Sequence, residues 1–207
     1  MNWYIIAAIT AAVVCVAVFA VQFFNLIRIG VPKDLSEKGG NIPEAVAYSY
    51  TKAMMPQHKE SAYLHLPTYA AGMIYHMGTF LSLALFLVIV ILKFTGAEIP
   101  GIILAVISAL LFFTSASGFA VLIKRMVKKE LKFISGADDY ISNLLTTLFQ
   151  LFSALYLIFP ATGLLYFVFA ALLFLWMPVG KTKHLLYFFF ARYHLGYFYG
   201  WRGTWPE

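Results

Sequence analysis

Five histidines, His58, His65, His76, His184 and His194, are the side chains with the clearest metal-ligating chemistry. His76 (AGMIYHMGTFL) and His184 (MPVGKTKHLLYFFF) stand in apolar surroundings. An ionisable group at membrane depth is costly and usually faces the interior of a helix bundle. Two neutral imidazoles from different helices can ligate one haem iron axially. The porphyrin is apolar, Gly72 and Gly78 flank His76 and would let a flat macrocycle approach the backbone, and Lys181 and Lys183 are candidate partners for the propionates. The competing reading is that each imidazole only hydrogen-bonds a neighbouring helix. His65 and His194 lie farther out and leave room for a second haem, though contact with lipid headgroups or a partner is the commoner role. Lys52, Tyr63 and His65 precede the second apolar block, and His65 could accept a proton because imidazole titrates near neutrality. The competing reading for all three is an interfacial residue without chemistry. The single Cys15 can form no internal disulfide or cluster and is read as a small buried residue.

These side chains have to be positioned by membrane spans. The chain is 62% hydrophobic and only 12% charged over 207 residues, and the apolar residues fall in blocks long enough to cross a bilayer. The spacing predicts an all-α, five-transmembrane-helix bundle forming one membrane domain over 1–207. Its spans lie at about 3–27, 68–94, 101–122, 140–159 and 161–191. The first apolar run is too long for a signal core and is expected to remain as a span. Pro67 suits a helix start. Asp138 or Asp139 is expected to cap the fourth span, and the fifth is expected to bend at Pro178. Residues 43–55 read as a short amphipathic helix on the membrane face. The aromatic tail 192–207 reads as interfacial, and its Trp201, Arg202 and Trp205 could dock a soluble subunit.

The net charge of +6 would suggest nucleic acid in a soluble protein. Here the basic residues sit at the ends of apolar blocks. Fourteen of the fifteen fall in 28–67, 123–139 and 181–207, and only Lys93 lies apart. The positive-inside rule then places the N-terminus outside and segments 28–67, 123–139 and 192–207 in the cytoplasm. No nucleic-acid partner is expected.

This layout resembles the gamma subunit of respiratory nitrate reductase and the related cytochrome b membrane subunits of heterodisulfide reductase and of sulfite reductase-linked complexes. His76-Met77-Gly78 is similar to the His-x-Gly of that family's second span. Gly136-Ala137-Asp138 is similar to the Gly-Ala-Asp opening its fourth, and Pro178 followed by His184 to the end of its fifth. The resemblance implies haem b ligated by His76 and His184. The family's outer ligands fall ten residues after His76 and eighteen before His184, where this chain has Phe86 and Tyr166, which implies a single haem on the cytoplasmic side.

The resemblance further implies electron exchange between membrane quinone, menaquinone or ubiquinone, and a cytoplasmic iron–sulfur partner subunit, in a bacterial or archaeal inner membrane, with Lys52, Tyr63 and His65 as candidate quinone neighbours. With one cysteine the chain holds no cluster of its own. The alternatives are a haemless anchor subunit and a small transporter. Nearly acid-free spans, with no inverted repeat and no paired breaks, argue against the transporter.

Overall fold

The computed structural model describes residues 2–30, 34–58, 62 and 64–206, and among them there is no β-strand. In chain order the helices are α1 (Trp3–Ile29), α2 (Ile42–Tyr50), α3 (Leu66–Thr95), α4 (Gly101–Val127), α5 (Lys129–Phe133), α6 (Ala137–Ile158), α7 (Gly163–Trp176) and α8 (His184–Trp201). Helices α1, α3, α4 and α6 are each long and apolar enough to cross a membrane. The shortest, α6, has 22 residues, or about 33 Å against a hydrocarbon core of about 30 Å.

The fifth span is broken near Pro178, where a bend is expected, and the two helices on either side of the break differ in direction by 72°. Helix α7 has 14 residues, about 21 Å, too short to cross by itself. Only α7 and α8 taken together make a fifth candidate span. Pro178 has no N–H to continue the helical ladder. The N–H groups of Val179 and Gly180 instead fold back on the Trp176 carbonyl, at 3.1 and 2.8 Å. Gly180 lies directly against the Trp176 indole, which donates from Nε1 to Ser142 Oγ at 2.9 Å.

The chain divides into two compact units, Met1–Cys15 with Pro67–Thr182, and Val16–Leu66 with Lys183–Glu207. In the first, α4 packs on α6 and α6 on α7. Its core contains buried apolar and aromatic side chains, but along α6 burial largely reverses the rule for water-soluble proteins. On α6 the buried positions include Ser142, Asn143, Thr146, Thr147, Gln150 and Ser153, whereas Ile141 and Leu144 are exposed. Facing helices add buried Ser82, Ser108, Thr114 and Ser115, while Leu87 and Phe113 lie outward, each 62% exposed. Hydrocarbon drives no apolar face inward, so close packing and interhelical hydrogen bonds hold such a bundle together. Ser117 donates to the Ala71 carbonyl at 2.8 Å and Ser108 to that of Ala154 at 2.9 Å. The inverted burial and the long apolar helices together mark a multi-pass membrane protein whose outer faces suit contact with lipid.

In the second unit α2 lies on α8. Gly196 and Gly200, one turn apart, remove the side chains that would keep the helices separate. A Cβ on Gly196 would stand 2.5 Å from Val46 Cα, and one on Gly200 2.6 Å from Ala45 Cβ. Ser49 Oγ donates to the Arg192 carbonyl at 2.5 Å. Residues 192–201, expected as an interfacial tail, are therefore helical, because their glycines are packing notches rather than breaks. The anchors proposed for a partner are used within the unit. Trp201 Nε1 donates to the Ser36 carbonyl at 2.8 Å. Arg202 Nη1 lies 2.6 Å from Asp34 Oδ2, and Trp205 stacks on Tyr199 with centroids 4.6 Å apart. Hydrogen bonds from Ser36, together with Arg202, hold the Asp34 carboxyl below its ordinary range.

Candidate functional site

His76 stands on α3 with its ring exposed. Its Nδ1 lies 2.7 Å from the Gly72 carbonyl, one turn earlier. That geometry puts the proton on Nδ1 and leaves Nε2 as the lone-pair nitrogen, the tautomer a metal ligand requires. Gly72 shares this face, and a Cβ placed there would meet nothing within 4 Å. Gly78 turns elsewhere. It is buried, and a Cβ there would run into Thr114 and Gln150. Its place on α3 thus serves the approach of α4 and α6.

Below that glycine lies a polar seam. Tyr75 Oη donates to the Asn143 carbonyl at 3.0 Å. Thr147 Oγ1 reaches Tyr75 Oη at 3.3 Å and Asn143 Oδ1 at 3.2 Å. Gln150 Nε2 donates to Thr79 Oγ1 at 2.9 Å and to the Tyr75 carbonyl at 3.2 Å. The hydropathy blocks hide this seam, although a helical count along α6 finds it.

At the end of the first unit Asp139 gathers three partners. Its carboxylate accepts the Gly136 N–H at 2.9 Å. It also pairs with Arg125 at 3.1 Å and with Lys181 Nζ at 2.6 Å. Asp138 accepts the Lys181 backbone N–H at 2.9 Å and the Ser142 hydroxyl at 2.8 Å. Asp139 therefore closes the first turn of α6 through the Gly136 N–H, the capping role the sequence suggests for one of the two acids, while Asp138 holds the Lys181 backbone. Lys181 is engaged here rather than standing as an isolated cation.

His184 opens α8, exposed, directly after the Lys181–Lys183 turn, and Lys183 is exposed beside it. His76 belongs to the first unit and His184 to the second. Of the remaining candidates, Lys52 and His65 are exposed, and Tyr63 lies outside the described residues. His58 is exposed with its ring 6.2 Å from that of Tyr48. His194 is half-buried on α8.

Phe86 and Tyr166, the two positions singled out by spacing from His76 and His184, meet in the core of the first unit. They are 2% and 0% exposed, and their ring centroids are 6.4 Å apart. Tyr166 stacks between Phe149 and Tyr156, at 5.9 and 5.0 Å. Phe167 and Phe174 complete an aromatic cluster around Phe86.

No protein-family profile matches the chain, and neither does any curated protein or solved structure. The resemblance drawn above rests on the quoted residues alone.

Proposed function

We propose that the chain is the membrane subunit of a quinone-linked respiratory oxidoreductase in a bacterial or archaeal cytoplasmic membrane. Its haem b has His76 and His184 as candidate axial ligands. Electrons pass between membrane quinone and a cytoplasmic iron–sulfur partner, with the N-terminus outside and the basic segments inside. The observation that carries this reading is the meeting of Phe86 and Tyr166. The resemblance pairs these positions as facing ligands, although they are far apart in sequence. Their rings are neighbours in the core, 6.4 Å apart, which agrees with that pairing.

The donor chemistry supports the same reading. The Gly72 carbonyl holds the His76 proton on Nδ1, and Gly72 leaves open backbone on the same face. Haem, when bound, supplies the one-electron step. Lys183, with Lys181, supplies positive charge for its propionates. Asp138 and Asp139 hold Lys181 through its backbone N–H and its ammonium.

The test is a dithionite-reduced minus oxidised spectrum of the purified chain. A b-type band is expected, and it should be lost in His76→Ala and in His184→Ala. Wild-type protein without the band, or either variant keeping it, sinks the assignment. The second reading, a haemless anchor, is favoured by the same Gly72 contact, because that bond also satisfies a histidine that carries no cofactor.

A further inference from the structure

The second unit contains a groove of about 830 Å³, lined by Asp34, Leu35, Ala191, His194, Leu195, Tyr197, Phe198 and Arg202. This is within the roughly 300–1,000 Å³ of ligand clefts. Its walls are apolar and open. Leu35 is 96% exposed and Phe198 46%. Its polar groups are a cation, an anion and an imidazole. Arg202 stacks on Phe198, with Cζ 3.7 Å from the ring centroid, and both of its hydrogen bonds run through Nη1. Nε and Nη2 therefore remain as donors. Asp34 Oδ2 takes Arg202 alone, while Oδ1 takes both bonds from Ser36. His194 makes no hydrogen bond among the described residues.

We propose that this groove seats one zwitterionic phospholipid of the ethanolamine type, independently of any haem. The argument is charge complementarity. The guanidinium edge accommodates the phosphate by paired N–H donation. The ammonium has N–H groups to give to Asp34 Oδ2. The His194 ring reaches the ester region, and an acyl chain runs along Ala191, Leu195 and Phe198. An anionic lipid such as phosphatidylglycerol offers the same phosphate but no ammonium for Asp34 Oδ2. A choline headgroup has no N–H to donate to the carboxylate.

The experiment is native mass spectrometry of the full chain released from nanodiscs containing phosphatidylethanolamine, phosphatidylcholine and phosphatidylglycerol in equal parts. The wild-type chain is expected to retain one phosphatidylethanolamine, about tenfold over the other two, since a hydrogen bond to a charged group is worth at least that. Asp34→Asn should abolish the preference of ethanolamine over choline. Arg202→Gln should lower retention of both about tenfold. His194→Ala, which breaks no bond among the described residues, should lower retention several-fold at an unchanged melting temperature. That variant keeps the test decisive if the Arg202 change unfolds the unit. Equal retention of the three lipids means an unselective lipid annulus and overturns the proposal. So does a preference for phosphatidylglycerol, unchanged selectivity in Asp34→Asn, or unchanged retention in His194→Ala.

Discussion

Gly118→Ala should cost the bundle far more than one methyl group suggests. Gly118 is buried on α4. A Cβ there would stand 2.5 Å from Thr147 Oγ1, 2.6 Å from Tyr75 Cε2 and 2.8 Å from Tyr75 Cδ2. Carbon–carbon contacts prefer about 3.5 Å, so the Tyr75 ring must retreat by about an ångström. The ring has little freedom to do so, because its hydroxyl is fixed at both ends of the seam, to Asn143 and to Thr147. Overpacking of this kind costs about 1–3 kcal/mol. Two interhelical hydrogen bonds add about 0.6 kcal/mol each when lost within a membrane. The expected loss is therefore about 2–4 kcal/mol, read as the midpoint of an SDS-titrated unfolding curve in mixed micelles.

Gly72→Ala supplies the contrast. It changes the same residue type in the middle of α3, where a Cβ meets nothing within 4 Å. Helix propensity alone predicts a gain of up to about 1 kcal/mol. Tyr75→Val supplies the cycle. Without the ring, Gly118→Ala should lose most of its cost, giving a coupling of about 1–3 kcal/mol. If Gly118→Ala and Gly72→Ala move the midpoint alike, or if Tyr75→Val leaves the cost of Gly118→Ala intact, the packing account of the seam is wrong.

Two further outcomes concern the second unit. Gly196→Val would drive its side chain into the Val46 backbone, 2.5 Å from Cα and 2.9 Å from N. Backbone cannot rotate away, so α2 should detach at a cost of about 2 kcal/mol or more, visible as faster hydrogen exchange over 42–50 with the first unit unaffected. Asp34 gives a pH dependence of defined sign. Its carboxyl is held low, first by Ser36 and then by Arg202. The stability it contributes is therefore fully present above the unfolded value of about 3.9 and is lost as pH falls towards the lower folded value. An acid titration of thermal stability should slope downward below about pH 4 in the wild type, and less so in Asp34→Asn. Parallel curves would show that the Asp34 contacts do not persist in solution.

The first four spans were legible because their ends carry local signals. Pro67 lies at the start of α3, Gly101 follows Pro100 into α4, and the Gly136–Asp139 run opens α6 with the expected acidic cap. The polar face of α6 was equally present, at 142, 143, 146, 147, 150 and 153. An averaged hydropathy reading cannot register it, because hydroxyls and one amide dilute an apolar block without ending it. The helix at the end of the chain was not legible, for a tertiary reason. Gly196 and Gly200 give no packing signal in sequence, and only the arrival of α2 makes them contacts. On α3, Gly72 shares the face of His76, its carbonyl bonded to the ring, whereas the side of the helix at Gly78 belongs to Thr114 and Gln150.

The break between α7 and α8 changes what the spacing argument can carry. Eighteen residues on an unbroken helix make five full turns, about 27 Å, and return to the same face. Tyr166 and His184 are separated by that number, yet α7 stops at Trp176 and α8 begins at His184. Helical phase is lost in the turn, so a count of eighteen residues does not put Tyr166 and His184 on one face. Within the first unit the end of α7 and the turn after it are held by Trp176 on Ser142, the Lys181 backbone on Asp138, and Lys181 Nζ on Asp139. The Phe86–Tyr166 meeting does not suffer from the break, because both residues lie inside unbroken helices of one unit.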